Sequence, residues 1–159
     1  MKRRLHVILG IILAFVALGA VPAGYLMITQ PDGTGLGMNL DYLKDSPFRD
    51  FFIPGLFLFI INGLFNIAGA ILCFAKNKHA AIVGLLLGIL LTAWIVVQVY
   101  STGLISFMQP LFFVIGFIEI LLSFVLIQQH KLSEKIKGEG YTISRSSTGY
   151  RYPDQEKKE

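Results

Sequence analysis

Glu119 is the residue of this chain best placed to do chemistry, because it is the one charged side chain deep inside any of its long apolar runs. An ionised carboxylate at mid-membrane costs about 3 kcal/mol on insertion scales. It must therefore be protonated, paired, or beside water. On a helix, Phe112, Gly116, Ser123 and Leu126 share its face at spacings of three, four and seven. Gly116 and Ser123 are small or polar, so that face points toward protein. Asn62 and Asn66 sit one turn apart at mid-depth of another run, on a stripe with Gly55, Phe59, Gly69 and Cys73. Gln98 lies nearer the end of a third run, with Thr92 and Trp94 flanking it. An asparagine can both donate to and accept from a carboxyl group. Turning Asn62, Asn66, Gln98, Glu119 and Ser123 inward would let them satisfy one another. The spacing supports two readings of this seam. It is interhelical glue that fixes register, or it is the polar part of an ion-linked or small-molecule site. Contact with a partner subunit is a third use for some of its members.

The elements that must position these groups are four apolar runs, with spans expected at about 5–29, 51–75, 80–100 and 110–130. Each covers the roughly 30 Å of bilayer hydrocarbon as a helix of about 20 residues. The composition agrees: the chain of 159 residues is 54% hydrophobic and only 15% charged, and its mean hydropathy is +0.65. A helix that is apolar all round is stable facing lipid. The expected fold is all-α, an antiparallel four-helix transmembrane bundle with short loops, occupying residues 1–137.

Glycines mark where the helices approach one another. Gly84, Gly88 and Thr92 form a small-residue stripe on the third run, which admits a neighbouring backbone. On the first run, Gly10, Ala14, Ala17, Val21 and Gly24 recur at helical spacing. Pro22 lacks an N–H and should loosen that helix. Residues 30–50 make the one sizeable loop. Its Gly33-Thr34-Gly35-Leu36-Gly37 lacks the dinucleotide spacing, a preceding strand and a Walker lysine, so it reads as a turn. Asn39 should cap a short helix over 40–44. Asp45 or Ser46 with Pro47 looks like a helix start, with a break expected at Pro54-Gly55. Lys76-Asn77-Lys78-His79 is a tight connection between antiparallel neighbours. Gly138-Glu139-Gly140 should end the last helix, leaving 138–159 as a disordered tail without apolar period.

Several chemistries find no support. His6, His79 and His130 lie at helix ends, without metal-ligand spacing. No nucleophile elbow or zinc-protease motif occurs. An intramembrane enzyme acting on lipid or quinone therefore lacks both a nucleophile and a metal set. Cys73 is the single cysteine, which forbids an internal disulfide. No catalytic residue, metal or cofactor is expected. The formal charge of +4 is not a nucleic-acid footprint. Lys2, Arg3, Arg4, Lys76, Lys78, Lys131, Lys135 and Lys137 flank the spans, as cytoplasmic positive charge does. Both termini are thus expected in the cytoplasm and residues 30–50 outside. The first run exceeds a signal-peptide core and no Ala-x-Ala site follows it, so it reads as an uncleaved span.

Residues 31–119 resemble a group of small, functionally uncharacterised four-span bacterial membrane proteins. The resemblance is carried by Pro31-Asp32-Gly33-Thr34-Gly35-Leu36-Gly37-Met38, Ser46-Pro47-Phe48-Arg49-Asp50-Phe51, Ile53-Pro54-Gly55, Trp94-Ile95-Val96-Val97-Gln98 and Gln109-Pro110. It implies a four-helix fold in a bacterial cytoplasmic membrane, and no activity or ligand. The expected role is a small non-enzymatic membrane protein, an accessory or assembly component. The alternative is a small oligomeric transporter or ion-coupled carrier using Glu119 with Asn62 and Asn66. The expected surroundings are the lipid bilayer, with a homo-oligomer or a membrane partner protein.

Overall fold

The computed structural model describes residues 2–147 apart from 45 and 105, with backbone alone at 2 and 137–147. Four helices are long and apolar enough to cross a membrane: Arg3–Thr29, Phe52–Phe74, Ala80–Thr102 and Met108–Ile136. They are the first to fourth spans below. No strand occurs among the described residues. The chain divides into two compact units, Met1–Ile127 and Gln128–Glu159. The first unit is an all-α four-helix bundle.

Small residues set how closely the helices approach, and Leu9, Leu13, Val16, Leu91 and Leu126 fill the core between them. The first span lies antiparallel against the whole length of the second. Gly10 meets Cys73 and Phe74, Val21 meets Gly63, Gly24 meets the Phe59 backbone, and Met27 meets Gly55. A Cβ placed on Gly24 would lie 2.6 Å from the Phe59 nitrogen, so no side chain fits there. In hydrocarbon no hydrophobic force drives helices together, and close van der Waals approach takes its place. The second span touches the third where Gly69 faces Leu87 and Val83. The first span meets the fourth through Phe15 and Phe112, whose rings stack with centroids 6.3 Å apart. Further large side chains cover the outside: Leu18, Tyr100 and Phe107 are 74%, 88% and 79% exposed. In water such a surface would aggregate; against lipid tails it is the stable arrangement.

The second span starts later than its sequence suggests. Helix begins at Phe52, not near Ser46, so Pro54 falls in the first turn, where its missing N–H costs nothing. Pro54-Gly55 therefore starts a helix instead of breaking one. Midway, Leu58–Leu64 winds as a π-helix. The connection to the third span closes as a Schellman motif, with Asn77 N–H donating to Leu72 O and Lys76 N–H to Cys73 O. Lys76 occupies the left-handed position, at φ 52°. In the long loop, Asn39 caps a 3-10 turn over Leu40–Leu43, and Phe51 N–H donates to Pro31 O. Leu43, Phe51 and Met27 then pack together beneath the loop.

The second unit also differs from expectation. Its boundary falls at Gln128, ahead of residue 137, and helical backbone continues through Gly138-Glu139-Gly140 to Ser147. Each glycine lowers helix stability by about 1 kcal/mol relative to alanine without forbidding the helix. Residues 148–159 of the expected tail lie outside those described.

Candidate functional site

The third and fourth spans meet along the glycine stripe in antiparallel register: Gly84 faces Ser123, Gly88 faces Glu119 and Ile120, and Thr92 faces Gly116. A Cβ on Gly88 would lie 2.9 Å from Glu119 Cβ, 2.9 Å from Gly116 O and 3.0 Å from Ile120 N. A Cβ on Gly84 would lie 2.7 Å from Ser123 Oγ. The contact is thus close enough to seal Glu119 and Ser123 completely, and both have no exposed surface. Thr92 Oγ donates to its own helix at Gly88 O, 2.8 Å away. That bond leaves its hydroxyl above Gly116, where only a glycine fits.

Asn62 and Asn66 are likewise without exposed surface. The π-helix decides how they bond. Phe65 N–H reaches Ile60 O rather than Ile61 O. Ile61 O accepts from Asn66 Nδ2 at 3.3 Å. One amide N–H of Asn66 is thereby spent within its own helix. The widened turn is a feature that recurs at functional sites.

The expected mutual satisfaction of the seam is not what the structure contains. Both oxygens of Glu119, both polar atoms of Asn62, Asn66 Oδ1, Ser123 Oγ and Trp94 Nε1 are buried without a hydrogen-bond partner. An unpaired buried polar group costs about 1–3 kcal/mol. The groups are all turned inward, but they are not joined to one another.

Two of the cavities near the connection between the third and fourth spans reach between the helices. The first, about 210 Å³, has walls from all four spans and includes Asn62, Trp94, Gln98 and Gln109. Val16, Ala20, Leu91 and Phe112 supply apolar wall. The second, about 170 Å³, lies beneath the long loop against Met38, Leu43 and Phe51. Trp94, Gln98, Met108 and Gln109 line both. Trp94 is held by stacking on Phe57, with centroids 4.4 Å apart. Glu119 and Ser123 line neither cavity.

Gln109 is the residue that reading the sequence for chemistry passed over. It is 6% exposed, and its Nε2 donates to Gly103 O at 3.1 Å. Its Oε1 accepts from Ser106 N at 3.4 Å. It therefore ties the turn between the third and fourth spans while forming part of both cavity walls. Its place one residue before Pro110, at the depth of Gln98, was the available signal. Among the described residues no group of three or more His, Cys, Asp or Glu is placed to hold a metal. At the surface, Asp32 Oδ1 accepts from Thr34 N–H at 3.1 Å and Thr34 Oγ at 2.7 Å. These bonds, the hydroxyl's foremost, hold its carboxyl below the usual aspartate value. They shape the Gly33–Gly37 turn, in which Gly33 and Gly37 have positive φ.

Compared with known proteins, the chain matches no family model, no curated protein and no solved structure.

Proposed function

We propose that this multi-pass membrane protein is non-enzymatic and serves as an accessory or assembly component, with Glu119 a structural member of the contact between the third and fourth spans. The observation that carries the reading is the enclosure of Glu119. It has no exposed surface, packs against Gly88, and lines neither of the two cavities. A coupling carboxyl in a carrier has to be reached from water as the protein alternates between its two faces. The sealed glycine contact offers no such route.

The runner-up reading is a small oligomeric carrier using Glu119 with Asn62 and Asn66. One observation favours it: Asn62, Asn66 and Glu119 are all fully buried with polar atoms left unpaired. We place the protein in the cytoplasmic membrane with both termini in the cytoplasm. Lys and Arg cluster at the N-terminus and at 76–78, while Lys44 and Arg49 at the other end are offset by Asp32, Asp41 and Asp50. Its surroundings are then lipid, with a second copy or a membrane partner protein, and no nucleic acid.

Complementation of a deletion strain separates the two readings. Glu119→Gln keeps size and hydrogen-bonding capacity and is expected to restore function. Glu119→Leu discards both and is expected to lower thermal stability. Abundant, folded Glu119→Gln protein that fails to complement would overturn the structural role and favour the carrier.

A further inference from the structure

Gln98 and Ser101 differ from the sealed polar groups of the bundle. Neither the Gln98 amide nor the Ser101 hydroxyl makes a hydrogen bond, yet neither is closed off as Asn62, Glu119 and Trp94 Nε1 are. At spacings of four and seven from Trp94 they continue the face of the third span that carries Leu87, Leu91 and Trp94, all buried in the bundle. Gln98 is half-buried and Ser101 is 8% exposed. The surface they keep therefore opens inward, onto the cavity of about 170 Å³ beneath the long loop, which both line. A helical hydroxyl commonly turns back to the carbonyl four residues before it. Thr92 does so at Gly88 O and Thr102 at Gln98 O, each at 2.8 Å. Ser101 makes no such bond, so its hydroxyl stays free. Packing alone would be served by leucine at 98 and alanine at 101, with no bond lost.

The two groups and the wall around them define a guest. An amide and a hydroxyl each donate and accept, so they are satisfied together by groups that also do both. A carbonyl or ether oxygen only accepts; a hydroxyl does both. Residues three apart on a helix have Cβ atoms about 5–6 Å apart, which suits two neighbouring hydroxyls. No charged residue lines the cavity, so a phosphate or ammonium head would have no counter-charge. A cavity of about 150 Å³ holds benzene. The volume of about 170 Å³ therefore takes a group of glycerol's size, and its attached chain must lie elsewhere. Gln98 stands about 6 Å from the end of the third span at Thr102, where hydrocarbon gives way to lipid headgroups. Met27, Met38 and Met108 supply unbranched wall that adapts to a flexible chain. Val97 and Met108 are also exposed on the outside of the bundle, so a chain leaving past them enters lipid.

We propose that the cavity beneath the long loop binds the uncharged glycerol head of a monoacylglycerol-type lipid, with its hydroxyls bonded to the Gln98 amide and the Ser101 hydroxyl. The acyl chain runs into the bilayer past Val97 and Met108. The site lies apart from Glu119, which lines no part of this cavity, so the proposal does not depend on how Glu119 acts. No bond of the lipid is made or broken.

Trp94, the only tryptophan of the chain, lines the same cavity one turn from Gln98, so its emission reports on the site. The probe is the monoglyceride of dibromostearic acid, whose bromines quench indole emission at short range. It is titrated into the full-length protein in phosphatidylcholine nanodiscs. The methyl ester of the same acid, with the same chain and no hydroxyl, is the control. Saturable quenching is expected from the monoglyceride, and quenching that only rises linearly with probe content from the methyl ester. Gln98→Leu removes the amide and should weaken the midpoint by about tenfold, the weight of a strong net hydrogen bond. Ser101→Ala should weaken it a few-fold. Both variants should melt at or above the wild-type temperature, because neither side chain bonds to the bundle. Equal curves for the two probes in the wild type would overturn the proposal, and that comparison needs no variant to fold. So would saturable quenching whose midpoint is unchanged in Gln98→Leu and Ser101→Ala, since the head would then be held by neither group.

Discussion

Gly88→Ala adds a single methyl group where the third span meets the backbone of the fourth, and its cost can be worked from the distances. The new Cβ would lie 2.9 Å from Glu119 Cβ, 2.9 Å from Gly116 O and 3.0 Å from Ile120 N. Two of these atoms are backbone and the third is fixed to it, so none can swing aside. The helices must part. Overpacking of this kind costs about 1–3 kcal/mol. Replacing glycine by alanine inside a helix returns about 1 kcal/mol through propensity. The net expectation is a loss of about 0–2 kcal/mol, or a melting temperature lower by up to about 6 °C for a chain of this size. Gly19→Ala supplies the control, because its Cβ would meet only the tip of the Phe112 ring, at 3.3 Å. That ring can rotate away, so Gly19→Ala should leave stability equal or slightly higher. Thermal melts of both variants in the same detergent give the comparison. If Gly88→Ala melts at or above Gly19→Ala, the third span does not turn its glycine stripe to Glu119.

Three further outcomes are expected. With both termini in the cytoplasm, Thr34→Cys should be labelled by an impermeant thiol reagent on intact cells and Ser147→Cys should not; the reverse pattern would invert the topology. Lys76→Gly should raise the melting temperature, since a left-handed conformation costs a non-glycine residue about 1 kcal/mol; a lower melting temperature would show that the lysine side chain matters more than its backbone angle. Asp32 should titrate below ordinary aspartate, and Thr34→Val should move it back up. Its folded-state value is depressed, so the turn gains from the ionised form above the unfolded value and loses that gain as pH falls through the folded one. An NMR titration in which Thr34→Val leaves Asp32 unmoved would remove the hydroxyl as the main cause.

The helical class and the four spans were legible in the chain, because spanning hydrocarbon demands about 20 apolar residues in a row and hydropathy summed over such a window is insensitive to detail. Local signals of one to four residues were legible for the same reason that they act locally: Asn39 as a cap, and residues 76–79 as a tight turn. Signals that depend on context were not. Pro54-Gly55 opens the second helix because the loop, tied by Phe51 N–H to Pro31 O, delays helix until Phe52. Gly138 and Gly140 do not interrupt the last helix, since a glycine lowers helix propensity without removing a hydrogen bond. The sequence placed Asn62, Asn66, Glu119 and Ser123 on inward faces, since period 3.6 assigns faces within one helix. Which inward groups meet is set by the register between helices, and that is decided where backbones touch, at Gly24 with Phe59 and Gly88 with Glu119. The same tertiary contacts seal Glu119 away from the cavities, leave Asn62 unpaired in one wall, and set Trp94 and Gln109 beside it. Face, depth and residue type belong to the chain; adjacency belongs to the packed bundle, because no local preference encodes the distance between two helices.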